Sequence, residues 1–260
     1  MDPHDVKASV RAHFGAAAHD YAQSWPHRDC PDLRSMLASV DLRGDEHVLD
    51  VGSGAGHTAF AFAAALPKGR VAALDLTAAM RAQTRDGARA RGLRNVETHA
   101  GDAEALPFAD ARFDGVVSRL AAHHFPHASR FVCEARRVLR PGGWLRLSDS
   151  IAPEDDGCDS YLQAIEVLRD PSHVRNQRIS QWQAMLREAG FEDVACIGRH
   201  ACPLDFDAWT RRMRTPPDAV RGLRALFRAA PDEIAATFAL DREARTWQLE
   251  LAVLRARRPR

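Results

Sequence analysis

The sequence predicts an α/β fold, with a doubly wound, mostly parallel seven-stranded sheet and a helical lid. Short apolar runs alternate with longer helix-compatible segments through the middle of the chain, which is typical of βαβ units and a parallel sheet. One apolar run ends in an acid and three alternating glycines, as a buried strand does when it turns into a helix. With 260 residues, of which 45% are hydrophobic, the chain can bury a sizeable core.

Seven strands and four helices follow from these patterns. Glycines at positions 92 and 190 end two of the helices, and a Pro-Gly-Gly run at 141–143 ends a third. Because the crossovers are right-handed, the carboxyl ends of the parallel strands meet at one edge of the sheet. The predicted strands are 47–51, 70–74, 96–99, 115–118, 144–148, 194–197 and one within 246–255. The predicted helices among them are 58–66, 78–91, 128–139 and 180–189.

Three segments stand outside this alternation. Val6, Val10 and Phe14 recur at helical spacing near the N-terminus, which predicts a helix that covers the edge where the strands end. Two later segments interrupt the order of the sheet and add to this cover. The predicted division is a helical lid at 1–40 and a sheet domain at 41–260, with lid insertions at about 151–178 and 203–240.

Composition argues against several classes of function. The formal net charge is +1, so no overall field directs the protein to nucleic acid or to an anionic membrane. The five cysteines contain no Cys-x-x-Cys pair, which argues against a disulfide framework or a zinc site. The N-terminus does not have the pattern of a signal peptide, and no apolar run reaches transmembrane length. We therefore expect a soluble, cytoplasmic monomer or homodimer without nucleic acid partners or membrane insertion.

The glycine-rich turn after the first strand is the main candidate for a ligand cradle. Gly52, Gly54 and Gly56 alternate, and glycines let a ligand approach the backbone closely. A dinucleotide loop has the pattern Gly-x-Gly-x-x-Gly, which would need glycine where this chain has His57. Asp50 would repel a pyrophosphate but suits a ligand that carries an ammonium group and no phosphate. The predicted cofactor contacts here are Asp50, Gly52, Ser53, Gly54 and Gly56.

A second acid follows the next strand. Asp75 comes about 20 residues after the glycine loop, where nucleotide-binding sheets place the carboxylate that binds the ribose hydroxyls. A carboxylate can accept hydrogen bonds from both hydroxyls, so Asp75 and the adjoining Leu76 are predicted to contact a nucleoside. Alternatively, Asp75 is an acid at the start of a helix that Thr77 would cap.

Two further runs complete a set of motifs. A Gly-Asp-Ala-Glu-x-Leu-Pro-Phe run begins at Gly101, and a Glu-x-x-Arg-Val-Leu-Arg-Pro-Gly-Gly run occupies 134–143. Together with the glycine loop and Asp75, they resemble the motifs of the class I S-adenosylmethionine (SAM)-dependent methyltransferases over about residues 45–150. The most similar group includes the ubiquinone and menaquinone biosynthesis enzymes and many natural-product methyltransferases.

The resemblance implies a Rossmann-like methyltransferase fold that binds SAM and releases S-adenosylhomocysteine (SAH). It implies that Asp102 accepts a hydrogen bond from the adenine amino group and that the Ala103 N–H meets a ring nitrogen. We also expect Gly101, Ser118 at the end of the fourth strand, and Tyr21 in the lid to border the cofactor. The implied reaction is methyl transfer to O, N or C of a small-molecule acceptor, in secondary or cofactor metabolism.

Histidines at the same sheet edge are the candidates for a general base, since imidazole titrates near neutral pH. His124 and His123 follow the fourth strand, and we favour His124; His173, in an inserted segment, is the alternative. Arg119 is interpreted as a member of an ion pair rather than as a ligand for an acidic substrate. No metal site is predicted, because His123, His124 and His127 lack a helix-face pairing with a carboxylate.

Two other functions fit parts of the sequence. A SAM-binding protein that does not methylate, and instead orients a substrate or regulates, would carry the same cofactor motifs. A nicotinamide-dependent oxidoreductase is disfavoured by His57, by Asp50 and by the adenine-type motif at Asp102. Formation of a methylated product separates a methyltransferase from the first alternative, and cofactor preference separates it from the second.

Overall fold

Seven strands form one sheet in the computed structural model, which describes the backbone of residues 3–23 and 30–260 and the side chains of 3–15 and 30–260. The strands are β1 (His47–Val51), β2 (Arg70–Asp75), β3 (Val96–Ala100), β4 (Phe113–Arg119), β5 (Leu139–Ser150), β6 (Glu192–Asp205) and β7 (Thr246–Arg257). Their order is β3-β2-β1-β4-β5-β7-β6, and neighbours run parallel except for β7, which is antiparallel to β5 and β6. The predicted doubly wound, mostly parallel seven-stranded sheet is confirmed.

Helices connect the parallel strands and also occupy the segments that the sequence predicts as a lid. In chain order they are α1 (Pro3–Gln23), α2 (Pro31–Ala38), α3 (His57–Ala65), α4 (Ala78–Ala90), α5 (Ala128–Val138), α6 (Asp156–Arg169), α7 (Ile179–Glu188), α8 (Phe206–Arg212), α9 (Pro217–Arg228) and α10 (Asp232–Thr237). α3, α4, α5 and α7 lie within one residue of the helices predicted from the sequence. None of the helices in the described part of the chain is long and apolar enough to cross a membrane.

The core lies on both faces of the parallel strands. Leu49 and Val116 pack in the cluster that also holds Phe131 of α5. Their neighbours Val48 and Val117 pack on the other face, in a different cluster. Because side chains alternate along a strand, consecutive apolar residues reach opposite faces, and helices cover both. This explains why the strands appear in the sequence as continuous apolar runs.

β6 is longer than predicted. The sequence predicts a strand at 194–197 and a helical insertion from 203, whereas β6 continues to Asp205 before α8 begins. β6 lies at the edge of the sheet, and its register against β7 shifts twice, first between Glu192 and Ala195. These irregularities break the alternation of polar and apolar residues by which a strand is identified in a sequence.

The helices of the two predicted insertions pack on each other and on the end of the sheet. One cluster of buried side chains joins Ile165 of α6, Trp209 of α8 and Phe227 of α9 to Trp247 of β7. The rings of Trp209 and Trp247 meet edge to face, with centroids 4.7 Å apart. Aromatic pairs of this geometry add to the stabilisation that comes from burying their surface. The two insertions therefore form one structural unit beside the carboxyl end of β5.

Candidate active site

The carboxyl ends of β1 to β4 open into one cleft, which has an empty volume of about 960 Å³ and is partly open to solvent. α1 forms one wall through Lys7, Val10 and Phe14. Ligands of open α/β sheets bind at this edge, in the crevice outside the carboxyl ends of the strands. The predicted site residues that line the cleft are Gly52, Ser53, Gly54, Asp75, Leu76, Gly101, Asp102, Ala103 and His124.

The other predicted residues lie elsewhere. In the described part of the chain, Asp50, Gly56 and Ser118 do not line the cleft. The Ser118 hydroxyl is buried and donates a hydrogen bond to the Val51 carbonyl at 2.8 Å, so it holds β4 against β1. Tyr21 lies outside the described side chains, and its predicted contact with the cofactor stays a prediction.

Gly54 forms the part of the glycine loop that a ligand can approach most closely. Its φ is +53°, a left-handed conformation that side chains disfavour, and a Cβ there would meet no atom within 4 Å. Its N–H donates to the Asp75 carboxylate at 2.8 Å, and its carbonyl accepts from the Thr84 hydroxyl at 2.8 Å. The loop is therefore held on both sides of this residue, and bare backbone faces the cleft.

Asp75 reaches the cleft from the end of β2. Its two carboxylate oxygens accept from the Gly54 and Thr77 N–H groups, each at 2.8 Å. The second contact places Asp75 at the start of α4, as the alternative interpretation expects, although the Thr77 hydroxyl makes no capping hydrogen bond. Asp75 lines the cleft at the same time. Burial raises the pKa of Asp75 although these N–H groups lower it. Each oxygen retains a lone pair for a further donor, such as a ribose hydroxyl.

Asp50 is a buried carboxylate at the end of β1, with only 1% of its surface exposed. Neither oxygen has a hydrogen-bond partner among the described residues. Burial, with a smaller contribution from the charge of Asp75, raises the pKa of Asp50 to about 7. An unpartnered buried carboxylate is unfavourable, so a ligand that brings an ammonium group close to Asp50 is stabilised.

Lys7 connects α1 to the loop after β3. Its ammonium group lies 2.7 Å from the Asp102 carboxylate and 2.8 Å from that of Glu104. Burial opposes the charge of Lys7, but the two carboxylates outweigh it and raise the pKa of the lysine. This contact fastens the N-terminal helix beside Asp102, the residue predicted to accept a hydrogen bond from adenine.

The three predicted base candidates lie together. The ring centroids of His123 and His124 are 4.2 Å apart, and that of His173 lies 5.7 Å from His123 and 6.3 Å from His124. In His173, Nε2 lies 3.2 Å from the side-chain oxygen Oε1 of Gln163. Burial, followed by the positive charges of neighbouring groups, lowers the pKa of His173 well below that of free histidine. The described residues contain no group of three or more His, Cys, Asp or Glu side chains that could hold a metal ion.

His124 and His123 have opposite electrostatic environments. His124 lines the cleft and donates from Nδ1 to the Ser172 carbonyl at 3.0 Å. Burial, followed by the charge of His123, lowers the pKa of His124 to about 4. In His123, Nδ1 lies 2.6 Å from the Asp149 carboxylate, which raises the pKa of the imidazole despite its burial. The carboxylate partner of His123 is therefore at hydrogen-bond distance, whereas the Asp170 carboxylate lies 3.9 Å from Nε2 of His124, the histidine that the sequence favours.

Arg119 makes the ion pair that the sequence predicts. Its Nε and Nη2 donate to the two oxygens of Asp32 at 2.6 and 2.7 Å, and both side chains are buried. The Ser148 hydroxyl donates to the same carboxylate at 2.7 Å. Arg119 also lines the cleft, so α2, which carries Asp32, positions a cationic group in the cleft wall.

Asp149, Asp32 and Lys7 were not identified from the sequence. Asp149 follows the apolar run of β5 as Asp75 follows that of β2, so the position of an acid at the end of a strand was available as a signal. No such signal marks Asp32 or Lys7, because their partners lie far away in the sequence.

Several known proteins that are similar to this chain in sequence and fold are named methyltransferases. A family profile described as a methyltransferase domain matches residues 49–147. The uncharacterised methyltransferase YcgJ of Bacillus subtilis (strain 168) is 36% identical over 80% of this chain and 81% of its own length. The crystal structure of YcgJ superposes with a TM-score of 0.84 and 33% identity, covering 88% of this chain and 98% of YcgJ.

Two further relatives are similar over most of this chain, and one of them is named a methyltransferase. The protein YafE of Escherichia coli (strain K12) is 40% identical over 70% of this chain and 87% of its own length. The ubiquinone/menaquinone biosynthesis C-methyltransferase UbiE of Paracoccus denitrificans (strain Pd 1222) is 33% identical over 62% of this chain and 72% of its own length. From its motifs, its sheet and these relatives, the chain belongs to the class I SAM-dependent methyltransferases.

Proposed function

We propose that this methyltransferase transfers the methyl group of SAM to O, N or C of a small-molecule acceptor. The observation that supports this most directly is the cleft at the carboxyl ends of β1 to β4. Bare backbone at Gly54 and the carboxylate of Asp75, which retains lone pairs for further donors, line this cleft, and the unpartnered buried carboxylate of Asp50 lies near the end of β1, just before the glycine loop. A ligand with a ribose, an ammonium group and no phosphate matches these three features.

The residues fit SAM part by part. Asp75 would accept from the ribose hydroxyls, Asp102 and Ala103 would meet the adenine, and Asp50 would face the ammonium group of the methionine moiety. When bound, SAM supplies a methyl group that is already activated on a positively charged sulfur. The chain then has to bind and orient the acceptor, keep water out and remove a proton where the acceptor carries one.

Isothermal titration calorimetry with SAM, SAH, NAD⁺ and NADP⁺ tests the cofactor. We expect SAM and SAH to bind and neither nicotinamide cofactor to do so. Binding of a nicotinamide cofactor alone would contradict the assignment of the glycine loop and of Asp75. If SAM binds but no acceptor in a small-molecule screen yields a methylated product, the protein is a SAM-binding module that does not methylate.

Gly54→Ala should weaken SAH binding about tenfold or more, which corresponds to about 1.4 kcal/mol. The added methyl group would project into the open cleft, where the ligand is expected to contact the protein backbone. Gly92→Ala is the matched control, because Gly92 has a φ of +68° and a Cβ at that position would also meet no atom within 4 Å. Gly92 lies just after the end of α4 and does not line the cleft in the described part of the chain.

Both substitutions place a side chain in the left-handed region, so each should lower the free energy of unfolding by about 1 kcal/mol. Calorimetry then separates the two effects, since only Gly54→Ala should change SAH affinity. Equal SAH affinities for the two variants would show that the ligand does not approach Gly54.

A further inference from the structure

Two cysteines that are far apart in the sequence meet inside the protein. Cys30 precedes α2, Cys202 lies on β6, and α2 packs against β6. Both side chains are buried, with 1% and 2% of their surface exposed, and both belong to the cluster that joins the two inserted segments to β7. The thiol of Cys202 is in hydrogen-bonding contact with the sulfur of Cys30. The two sulfur atoms are therefore neighbours in a closely packed part of the fold.

The surroundings of the pair make Cys30 the more acidic thiol. The contact with Cys202 lowers the pKa of Cys30, whereas the same contact, together with burial, raises the pKa of Cys202. Cys30 is also the N-cap residue of α2, and the positive end of a helix favours a thiolate. The charge of Asp32 opposes this effect, but Arg119 neutralises it through the buried ion pair. Because the thiolate is the reactive form of cysteine, Cys30 is the nucleophile of the pair.

A cavity gives small molecules a path to the pair. Cys202 lines this second cavity, which has an empty volume of about 500 Å³ and is partly open to solvent. Leu120 lines both this space and the cofactor cleft, so the two adjoin where the chain leaves β4. A buried cysteine is ordinarily inert because oxidants do not reach it. The second cavity removes this barrier for a molecule as small as a peroxide.

The other three cysteines have different surroundings. Cys133 is exposed, and the thiol of Cys196 donates to the Gly198 carbonyl at 3.5 Å. Cys158 is buried in the same cluster as the pair, but its thiol donates to the Thr237 hydroxyl at 3.5 Å. Cys158 is therefore a matched control, because it is as buried as Cys202 and its thiol meets an oxygen instead of a second sulfur.

We propose that Cys30 and Cys202 form a reversible disulfide that fastens the start of α2 to β6, with a peroxide that enters through the second cavity as the oxidant. The Cys30 sulfur attacks one peroxide oxygen, the O–O bond breaks, and a sulfenic acid forms as the other oxygen leaves with the thiol proton as water. The Cys202 sulfur then attacks the Cys30 sulfur, the S–O bond breaks, and the Cys202 proton leaves with that oxygen as a second water. Two electrons pass from the two thiols to the peroxide, and a thiol reductant returns them.

The disulfide acts on the cofactor cleft through α2. Asp32 follows Cys30 by two residues, and its carboxylate holds Arg119 in the cleft wall. A bridge from Cys30 to Cys202 closes a loop that includes most of the chain, and it restricts the unfolded chain more than the folded protein. Since the two sulfur atoms are already neighbours, oxidation should stabilise the fold while the Asp32–Arg119 pair, and with it SAH affinity, stays unchanged.

Treatment of the whole chain with hydrogen peroxide, followed by thiol quantification and peptide mass spectrometry, tests the bridge. We expect two of the five thiols to be lost, a peptide pair joined through Cys30 and Cys202 to appear, and dithiothreitol to restore both thiols. Oxidation should also raise the Tm by about 5 °C or more. A bridge between other cysteines, a Cys30 that is oxidised but stays unbridged, or thiols that do not react would overturn the proposal.

Three substitutions locate the effect. Cys30→Ala and Cys202→Ala should each abolish the bridge and the gain in Tm, whereas Cys158→Ala should retain both. Each oxidised variant is compared with its own reduced form, so that the stability lost by removing a buried thiol does not enter the comparison. A gain in Tm that persists in Cys202→Ala would contradict the proposal, and so would weaker SAH binding to the oxidised wild type. The mass and Tm measurements need no cofactor, so their outcome is independent of the proposed function.

Discussion

Replacing Asp75 with asparagine is expected to raise the Kd for SAH about 100-fold, which corresponds to about 2.7 kcal/mol. The aspartate oxygens already hold the Gly54 and Thr77 N–H groups, and the ribose hydroxyls would add two charge-assisted hydrogen bonds. An asparagine has one acceptor oxygen, and its NH₂ group would face donors instead of accepting from them. Calorimetry with SAH measures the loss.

Asp86→Asn is the control for this substitution. Asp86 lies on α4, and its side chain is 66% exposed, so the same change of charge there should leave SAH affinity unaltered. Circular dichroism and thermal unfolding check that Asp75→Asn remains folded, since the Gly54 loop loses part of its anchor. A folded Asp75→Asn variant that binds SAH as tightly as the wild type would contradict the ribose assignment.

Replacing Asp32 with alanine should lower the free energy of unfolding by about 3–5 kcal/mol. This substitution leaves the guanidinium of Arg119 buried without its bidentate carboxylate, and the Ser148 hydroxyl loses its acceptor. Because Arg119 lines the cofactor cleft, SAH affinity should fall as well. Urea denaturation monitored by circular dichroism measures the stability, with the slope against urea checking that the transition remains two-state.

The pair Arg199–Glu250 is a matched control, because it has the same bidentate geometry on the surface. Its two hydrogen bonds are both 2.6 Å long, and the side chains are 62% and 37% exposed. Glu250→Ala should lower the free energy of unfolding by about 1 kcal/mol or less. If Asp32→Ala and Glu250→Ala lower the free energy of unfolding by similar amounts, burial does not determine how much the Asp32–Arg119 pair stabilises the fold.

Local signals in the sequence are sufficient to predict most of the fold and most of the residues that line the cleft. The strands β1 to β4 are short apolar runs, and the residues that follow them form the cleft because parallel strands end at one edge. Such signals need only a few neighbouring residues, which is why Gly54, Asp75 and Asp102 could be assigned a place before the structure was known. The strand β6 was shortened in the prediction because its bulges interrupt the alternation.

What the sequence could not show depends on contacts between distant segments. Lys7 meets Glu104, and Asp32 meets Arg119, through packing of α1 and α2 that no local pattern encodes. The sequence also does not show which neighbours each of the two consecutive histidines has. A single 3-10 turn at Ala122–His124 sends His124 to the cleft and His123 to Asp149, and the partner lies on another strand. The packing of the two inserted segments against each other likewise joins residues that are far apart in the sequence.

The position of β7 determines the order in which parts of the sheet can form during synthesis. β7 pairs with β5 and β6. Trp144 can therefore pair with Arg257, and Cys202 with Leu249, only after most of the chain has been made. Until then β5 is an open edge, and pairing across such sequence separations is slow. The strands β1 to β4 around the cleft emerge earlier and can pair first, whereas β7 can join the sheet only last. A nascent chain could therefore form the cleft of the glycine loop and Asp75 before the buried cluster around Trp247 is complete.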